Sequence, residues 1–202
     1  MKNSTPHSAL HTDLMEGPLI ILSGPSGSGK STIIRRLLDG GALPLRLSVS
    51  ATTRPPRPGE QDGVDYYFWD PARFEREVRA GAFLEHARVH GASYGTLRRE
   101  VDAYRRRGIG VILDIDVQGA AQVRQQCPDS ISVFLRASSL DIYEKRLRER
   151  GTEEEAAIRR RLAAVVGELN RAGEYQYQVI NDDLDTAVAE LRAILQRHFT
   201  RG

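Results

Sequence analysis

The feature that most constrains the fold is a glycine-rich turn between a short apolar run and a stretch of helical character. Residues 24–31 read G-P-S-G-S-G-K-S and fit the pattern G-x-x-x-x-G-K-[ST] of a phosphate-binding loop. Glycine permits backbone torsions and close approaches that a side chain would block, so successive N–H groups can point at one anion. The positive end of the following helix adds to this attraction. The pattern therefore predicts a strand, a phosphate-binding loop and a helix, in that order.

Two residues at the end of this loop carry its expected chemistry. Lys30 should reach the β- and γ-phosphates of a nucleoside triphosphate, and Ser31 should bind Mg²⁺. Only three of the 29 basic residues in the chain are lysines. A lysine at position 30 therefore favours a site that requires a compact ammonium group. The competing interpretation, an ordinary turn rich in glycine and serine, does not account for the apolar run before it.

Composition bounds the class of protein. A chain of 202 residues, 40% hydrophobic and 28% charged, suits one globular domain with room for inserted lobes. Its formal net charge of +2 gives no general electrostatic argument for a nucleic-acid or membrane partner. The single cysteine, Cys127, excludes an internal disulfide and suits a reducing cytoplasm. Residues 1–16 lack the apolar segment of a signal peptide and are expected to form a mobile leader.

Apolar strands alternate with amphipathic helices along the chain, which predicts an α/β fold with a parallel sheet covered on both faces. Strands are predicted at 18–23, 45–49, 65–69, 83–90, 110–116, 131–135 and 178–180. Helices are predicted at 32–38, 71–80, 97–107, 117–126, 139–149, 153–172 and 184–199. Asp70, Thr96 and Asp183 are expected to cap helices, and residues 152–155 read as a capping box.

Two carboxylates follow a buried strand. Asp114 and Asp116 lie at its predicted carboxyl end, where ligands bind in open α/β sheets. Asp114 is the candidate for a second support of Mg²⁺ beside the phosphate-binding loop. The alternative is that both residues only cap the strand end.

Arginines are grouped in two other places. Arg54 and Arg57 lie in a loop stiffened by prolines, and the guanidinium fork matches phosphate oxygens. Tyr66 and Tyr94 would add phenolic donors. By themselves these four residues would read as solvated arginines and half-buried tyrosines.

The second group is Arg146, Arg150 and Arg161, on two predicted helices that flank residues 151–152. A helical hairpin would swing these cations over a phosphoryl group in transfer. The alternative is a solvated helical surface with salt bridges, and the spacing does not separate the two.

Four stretches together give the chain a resemblance to the guanylate kinase family over residues 17–199. They are residues 48–60, 94–96, 113–119 and 181–184, which read SVSATTRPPRPGE, YGT, LDIDVQG and NDDL. The resemblance implies a P-loop NTPase core of three α/β/α layers, a GMP-binding lobe over about 50–96 and a helical lid over about 146–162. It implies transfer of the γ-phosphate of ATP to GMP, and to dGMP, in purine nucleotide metabolism with Mg²⁺ as cofactor.

The resemblance also assigns roles to individual residues. For ATP binding it points to Gly24, Pro25, Ser26, Gly27, Ser28, Gly29, Lys30, Ser31, Thr32 and Asn181, the last near adenine. For GMP it points to Ser50, Glu85 and Asp116 at guanine and to Arg54, Arg57, Tyr66 and Tyr94 at the phosphate. The catalytic set is Lys30, Arg54, Arg146, Arg150 and Arg161, and the metal ligands are Ser31 and Asp114.

Elementary chemistry agrees with the assignment of Glu85. Guanine presents N1–H and N2–H₂ side by side, and one ionised carboxylate accepts hydrogen bonds from both. Adenine has an acceptor at N1, so the pair of bonds would be lost. A buried polar site left unpaired in this way discriminates between substrates by about 10⁴–10⁵-fold.

Two other functions remain open at this point. Another small-molecule kinase with the same loop, such as a kinase of phosphorylated sugars, would not need Ser50, Glu85 or the loop around Arg54. A non-catalytic binding module of guanylate-kinase type would typically lack the loop lysine and the arginines. Because Lys30 and all five arginines are present, the sequence favours catalysis.

Overall fold

A computed structural model of the protein describes residues 16–89, 91–149 and 155–199. The strands are β1 Leu19–Ser23, β2 Leu45–Leu47, β3 Ala51–Thr52, β4 Tyr67–Phe68, β5 Phe83–Val89, β6 Ala92–Leu97, β7 Gly110–Asp114, β8 Ile131–Arg136 and β9 Tyr177–Ile180. The helices are α1 Lys30–Asp39, α2 Pro71–Arg79, α3 Arg98–Arg105, α4 Val117–Gln126, α5 Leu140–Glu149, α6 Glu155–Leu169 and α7 Leu184–Phe199. A 3₁₀ turn covers Ala172–Glu174.

The central sheet is parallel and has β1 in its middle. Its strand order is β2-β7-β1-β8-β9. All five residues of β1 are buried, as expected for a strand covered on both faces. Ile20 pairs with Ile112 of β7 on one side and with Ile131 of β8 on the other. The predicted α/β fold with a parallel sheet is confirmed.

Alternate residues of β1 enter two different cores. Ile20 and Leu22 pack in a cluster with α1 and α7, whereas Leu19 and Ile21 pack in a cluster with α3 and α4. Helices therefore cover both faces of the sheet in three layers. Because β1 and β7 run in the same direction, with Leu22 opposite Asp114, their carboxyl ends meet at one edge.

A second sheet is inserted in the chain between β2 and α3. Its strand order is β4-β3-β6-β5, and it combines one parallel pair with two antiparallel pairs. It has a separate aromatic core in which Trp69, Phe74, Phe83 and Leu97 are buried. The rings of Phe74 and Phe83 stack at 4.7 Å between centroids. The second sheet thus has a core of its own, although Leu84 of β5 packs in the cluster that contains Leu19 and Ile21.

The helix predicted over 97–107 is confirmed as α3, but its predicted cap is wrong. Residues 93–96 belong to β6, which pairs with β5, and the helix begins at Arg98 with Leu97 at its N-cap. Thr96 is therefore no helix cap, and its buried hydroxyl donates a hydrogen bond to Glu85 instead. Tyr94 and Thr96 favour a strand but Ala92 and Gly95 do not, so pairing with β5 rather than local preference decides the conformation.

Other local predictions have mixed outcomes. Asp70 caps α2 as predicted, accepting a hydrogen bond from the Arg73 N–H at 2.8 Å. Asp183 likewise accepts from the Thr186 N–H at 2.8 Å, where α7 begins. The strand predicted over 65–69 is shorter and covers only Tyr67–Phe68. Residues 1–15 and most of the predicted capping box, at 152–154, lie outside the described residues.

Within the described residues, none of the helices is both long and apolar enough to span the membrane.

Candidate active site

The glycine-rich loop joins the carboxyl end of β1 to the amino end of α1. Gly24, Gly27 and Gly29 have φ angles of 151°, 90° and 91°, in the region that favours glycine. A Cβ atom on Gly24 would lie 2.0 Å from the Leu135 carbonyl oxygen, and one on Gly29 would lie 2.3 Å from Asn181 Nδ2. Both torsion and space therefore require glycine here, as the phosphate-loop pattern predicts.

This loop forms one wall of a cavity of about 350 Å³. The cavity is lined by residues 24–32 together with Asp114, Ile115, Asp116 and Glu168. The Lys30 ammonium donates a hydrogen bond to the Gly24 carbonyl, which keeps it at the loop. The structure thus brings the predicted phosphate-binding loop and both predicted aspartates to one site.

Asp114 and Ser31 are the candidate metal ligands in this cavity. The Asp114 side chain is open to solvent, but it stands within a cleft. Desolvation by the surrounding protein raises the pKa of Asp114, and the positive charge of Lys30 partly offsets this. No cluster of three or more metal-binding side chains occurs in residues 16–89, 91–149 and 155–199. Two oxygen ligands nevertheless fit Mg²⁺, which keeps waters and takes further oxygens from substrate phosphates.

A second cavity, of about 160 Å³, opens from the same edge of the sheet. Among its lining residues are five that the sequence assigned to a nucleotide: Ser50, Tyr66, Glu85, Tyr94 and Asp116. Asp114, Ile115 and Asp116 line both this cavity and the phosphate-loop cavity. Two ligands bound in the two cavities would therefore meet at the end of β7.

Glu85 is a buried ionisable residue in the lining of the second cavity. Only 4% of this residue is exposed. The Thr96 hydroxyl donates a hydrogen bond to Glu85 Oε1 at 2.7 Å. Burial raises the pKa of Glu85 to about 7; the Thr96 hydrogen bond lowers it, and the nearby charge of Asp116 raises it further. Glu85 therefore changes its charge near neutral pH.

The first turn of α4 is shaped to accept Glu85. Asp116 caps this helix, its Oδ1 accepting hydrogen bonds from the N–H groups of Gln118 and Gly119 at 3.0 and 2.8 Å. A Cβ atom on Gly119 would lie 2.4 Å from Glu85 Oε2. Any side chain at position 119 would therefore displace the carboxylate.

Sequence reasoning assigned no role to Gly119 and predicted Thr96 only as a helix cap. A signal for Gly119 was available, because a glycine inside a helix costs about 1 kcal/mol and so calls for a reason. The role of Thr96 follows only from strand pairing, which the sequence did not reveal.

Neither Arg54 nor Arg57 lines the second cavity, but Arg54 stands against Tyr66, which does. The guanidinium carbon of Arg54 lies 5.3 Å from the centre of the Tyr66 ring. Arg54 also forms a two-point ion pair with Glu60, with both N···O distances at 2.8 Å. The side chain of Arg57 is exposed, and its backbone N–H donates to Glu60. Arg54 lowers the pKa of Glu60 to about 2. The role of Glu60 was not predicted from the sequence.

Arg146 and Asn181 lie on the other side of the glycine-rich loop. Arg146 donates to the carbonyls of Gly27 at 3.3 Å and Asn181 at 2.7 Å, and Asn181 Nδ2 donates to the Ser28 carbonyl at 2.7 Å. These residues line a separate cavity of about 300 Å³ with Leu184. In this structure Arg146 therefore contacts the loop backbone.

Of the two remaining predicted arginines, Arg161 lies on α6. Arg161 lines a cavity of about 500 Å³ that Ser26 and Glu168 also line, so it stands across from the glycine-rich loop. Arg150 lies outside the described residues.

Comparison with known proteins identifies relatives over almost the whole chain. A family model described as guanylate kinase matches residues 16–198. The chain is 48% identical to a guanylate kinase of Rubrobacter xylanophilus, over 94% of this chain and 98% of that one. It is 47% identical to a guanylate kinase of Alkalilimnicola ehrlichii, over 89% and 88%. A crystal structure of guanylate kinase from Anaplasma phagocytophilum is similar with a TM-score of 0.76 at 29% identity, over 93% of this chain and 88% of that one.

Because Glu85 is buried, its replacement by glutamine is expected to stabilise the folded protein. A carboxyl group whose pKa rises from 4.5 to about 7 on folding lowers the free energy of unfolding as pH increases through that range. Glutamine carries no charge and keeps an oxygen for the Thr96 hydroxyl. We expect Glu85→Gln to raise stability by about 1–3 kcal/mol at pH 8, with the gain shrinking towards pH 5.

Thermal unfolding at the two pH values measures this difference. The matched control is Glu75→Gln, at an exposed carboxylate on α2, which should shift Tm equally little at both. If Glu85→Gln were less stable than wild type at pH 8, burial would not be what raises the pKa of Glu85.

Proposed function

Because the chain belongs to the guanylate kinase family, we propose that it transfers the γ-phosphate of ATP to GMP, producing ADP and GDP. The bond from the γ-phosphorus to the bridging oxygen breaks, and its electron pair leaves with ADP. A phosphate oxygen of GMP forms the new bond, so no protein nucleophile is needed. The observation that carries the proposal is the buried carboxylate of Glu85 in a cavity that joins the phosphate-loop cavity at the end of β7.

We assign the cavity around Glu85 to guanine. In its ionised form Glu85 accepts hydrogen bonds from guanine N1–H and N2–H₂, and the Thr96 hydroxyl fixes one of its oxygens. Ser50 and Asp116 line the same cavity and supply further polar groups for the base. None of these roles involves the ribose 2′-hydroxyl, so dGMP is expected to be a substrate too.

The phosphate of GMP is assigned to the arginine and tyrosine groups in and beside this cavity. Tyr66 and Tyr94 line it, and Arg54 stands against Tyr66. Arg57 follows Arg54 in the same loop and provides a second cation on closure of the lobe. These four residues would hold the acceptor oxygen in line with the γ-phosphate, which is the main requirement of the reaction.

The glycine-rich loop is assigned to the phosphates of ATP. Its backbone N–H groups and Lys30 bind the phosphate oxygens, and Ser31 with Asp114 holds Mg²⁺. Bound by these two residues, Mg²⁺ would supply positive charge that neutralises the charge developing on the phosphate oxygens. Adenine is assigned to the cavity beside Asn181, and Arg146, Arg150 and Arg161 are proposed to contact the phosphates. For Arg146 this requires release of its bonds to the loop carbonyls.

We propose that the domain divides into a core, a GMP-binding lobe over about 50–96 and a lid over about 146–162. The second sheet with its own aromatic core supports the lobe, and the position of Arg161 across from Ser26 supports the lid. We place the protein in the cytoplasm, where a half-buried free thiol such as Cys127 stays reduced.

The alternative functions are not favoured. A kinase of another small molecule would not require a buried carboxylate that ionises near pH 7, such as Glu85 in the second cavity. A non-catalytic module would not require the strained glycines of the loop or Lys30 beside them. The relatives that match almost the whole chain are named guanylate kinases.

The direct experiment is an assay of ADP release from ATP with GMP, dGMP, AMP, CMP or UMP as acceptor. Activity should be confined to GMP and dGMP, disappear in excess chelator and return with Mg²⁺. Equal turnover with AMP, or full activity in chelator, would overturn the proposal.

The variant Glu85→Gln tests which residue makes the choice of base. Glutamine places an NH₂ donor towards a guanine donor and removes the charge that strengthens both bonds. Such bonds contribute about 1.5–3 kcal/mol each, so kcat/KM for GMP should fall by about 10²-fold or more, with KM for ATP unchanged. A fall of less than about threefold would exclude Glu85 as the reader of guanine.

Lys30→Ala tests the assignment of the glycine-rich loop. Loss of the ammonium should lower kcat by about 10³-fold or more, on the scale of a cation that stabilises phosphoryl transfer. The variant should still fold, because a loop side chain supports no core. Lys145→Ala, at an exposed lysine on α5, is the matched control and should retain wild-type turnover. Near-normal turnover of Lys30→Ala would contradict the assignment.

A further inference from the structure

The loop between β3 and β4 contains a carboxylate that the proposed reaction does not use. Glu60 accepts hydrogen bonds from Nη1 and Nη2 of Arg54, both at 2.8 Å, and from the backbone N–H of Arg57 at 2.7 Å. The Arg54 and Glu60 side chains are only 15% and 19% exposed. Glu60 therefore contacts both arginines assigned to the GMP phosphate from within the protein.

The donors of Arg54 can be accounted for individually. Its guanidinium has five N–H groups. Nη1 donates one to Glu60 Oε2 and one to the Pro55 carbonyl, and Nη2 donates one to Glu60 Oε1. The two that remain, on Nε and Nη2, lie side by side on the opposite edge of the planar group. Nε is buried and has no hydrogen-bond partner among the described residues. Arg54 thus keeps Nε without a partner, and Nε together with Nη2 forms the arrangement that matches two phosphate oxygens.

The environment places this arginine at the phosphate end of the GMP cavity. Its guanidinium carbon lies 5.3 Å from the Tyr66 ring centre, and hydrogen bonds of Glu60 and of the Tyr94 hydroxyl raise the pKa of Arg54. Both tyrosines line the cavity that contains Glu85. A phosphate between these hydroxyls would take over the Nε–Nη2 edge once Nε, which is buried here, is uncovered and Tyr94 turns to the phosphate. Glu60 lies on the other edge and would stay in place.

We propose that Glu60 is a positioning residue for the GMP phosphate. It fixes the Nη1–Nη2 edge of Arg54 and the backbone of Arg57, so that Arg54 meets the phosphate with its Nε–Nη2 edge. This inference rests on the proposed function. The rival role is that of an internal anion that occupies Arg54 until GMP displaces it, and the two roles predict opposite changes in affinity.

The variant Glu60→Gln separates these roles. Glutamine keeps the length but has one oxygen, so it cannot accept from both Nη groups, and the charge is lost. We expect KM and Kd for GMP to rise about tenfold or more, because charge-assisted bonds no longer orient Arg54. KM for ATP and binding of guanosine, which has no phosphate, should stay within twofold of wild type. Glu75→Gln on α2 is the exposed control. Unchanged or tighter binding of GMP would overturn the proposal.

Two further variants distinguish orientation of Arg54 from a general effect on the loop. In an Arg54→Ala background, Glu60→Gln should weaken GMP binding by less than about threefold, because the group through which it acts is absent. Equal effects in both backgrounds would overturn the proposal. Glu60→Asp keeps the charge and should retain more affinity than Glu60→Gln; the reverse order would also overturn it. If wild type does not phosphorylate GMP, the proposed function fails; if it does and Glu60→Gln binds GMP normally, only this inference fails.

Discussion

The parallel pairing of β1 with β7 determines where every part of the site lies. β1 ends in the glycine-rich loop, and β7, aligned so that Leu22 faces Asp114, ends in the two aspartates. A parallel pair brings both carboxyl ends to the same edge, where ligands bind in open α/β sheets. The inserted second sheet then brings Glu85 to the same edge, beside the first turn of α4. Two cavities that share the end of β7 follow from this arrangement.

At this edge the protein keeps a carboxylate where folding alone would disfavour one. Glu85 is almost fully buried and has the Asp116 carboxylate near it, both of which oppose its ionisation. The Thr96 hydroxyl and the space left by Gly119 accommodate the group without neutralising it. In the proposed complex guanine would compensate the charge, because its two N–H groups would replace the water that Glu85 lost on folding. Under this proposal the free protein gives up stability and the complex gains selectivity for the base.

The sequence predicted the parts of the site that depend on local pattern. The glycine-rich loop between a buried strand and a helix, and the carboxylates after β7, follow from periodicity and motif alone. Resemblance to a family added Ser50, Tyr66, Glu85 and Tyr94, which the structure gathers in one cavity. The strand β6 was missed because Ala92 and Gly95 weaken its strand preference and its pairing with β5 is not visible in the sequence. The roles of Thr96 and Gly119 were missed because each acts through a contact between separate segments. Glu60 contacts Arg54 within one loop, and a loop without periodicity does not predict which of its side chains meet.

Proton exchange on GMP binding tests most directly whether Glu85 reads guanine as a carboxylate. With a pKa of about 7 in the free protein, Glu85 is about half protonated at pH 7, and binding of guanine should ionise it. Calorimetry at pH 7 in buffers of different ionisation enthalpy measures the protons released. Wild type should release about half a proton more per GMP than Glu85→Gln, which corrects for ionisation of the GMP phosphate. Equal release by the two proteins would contradict the account.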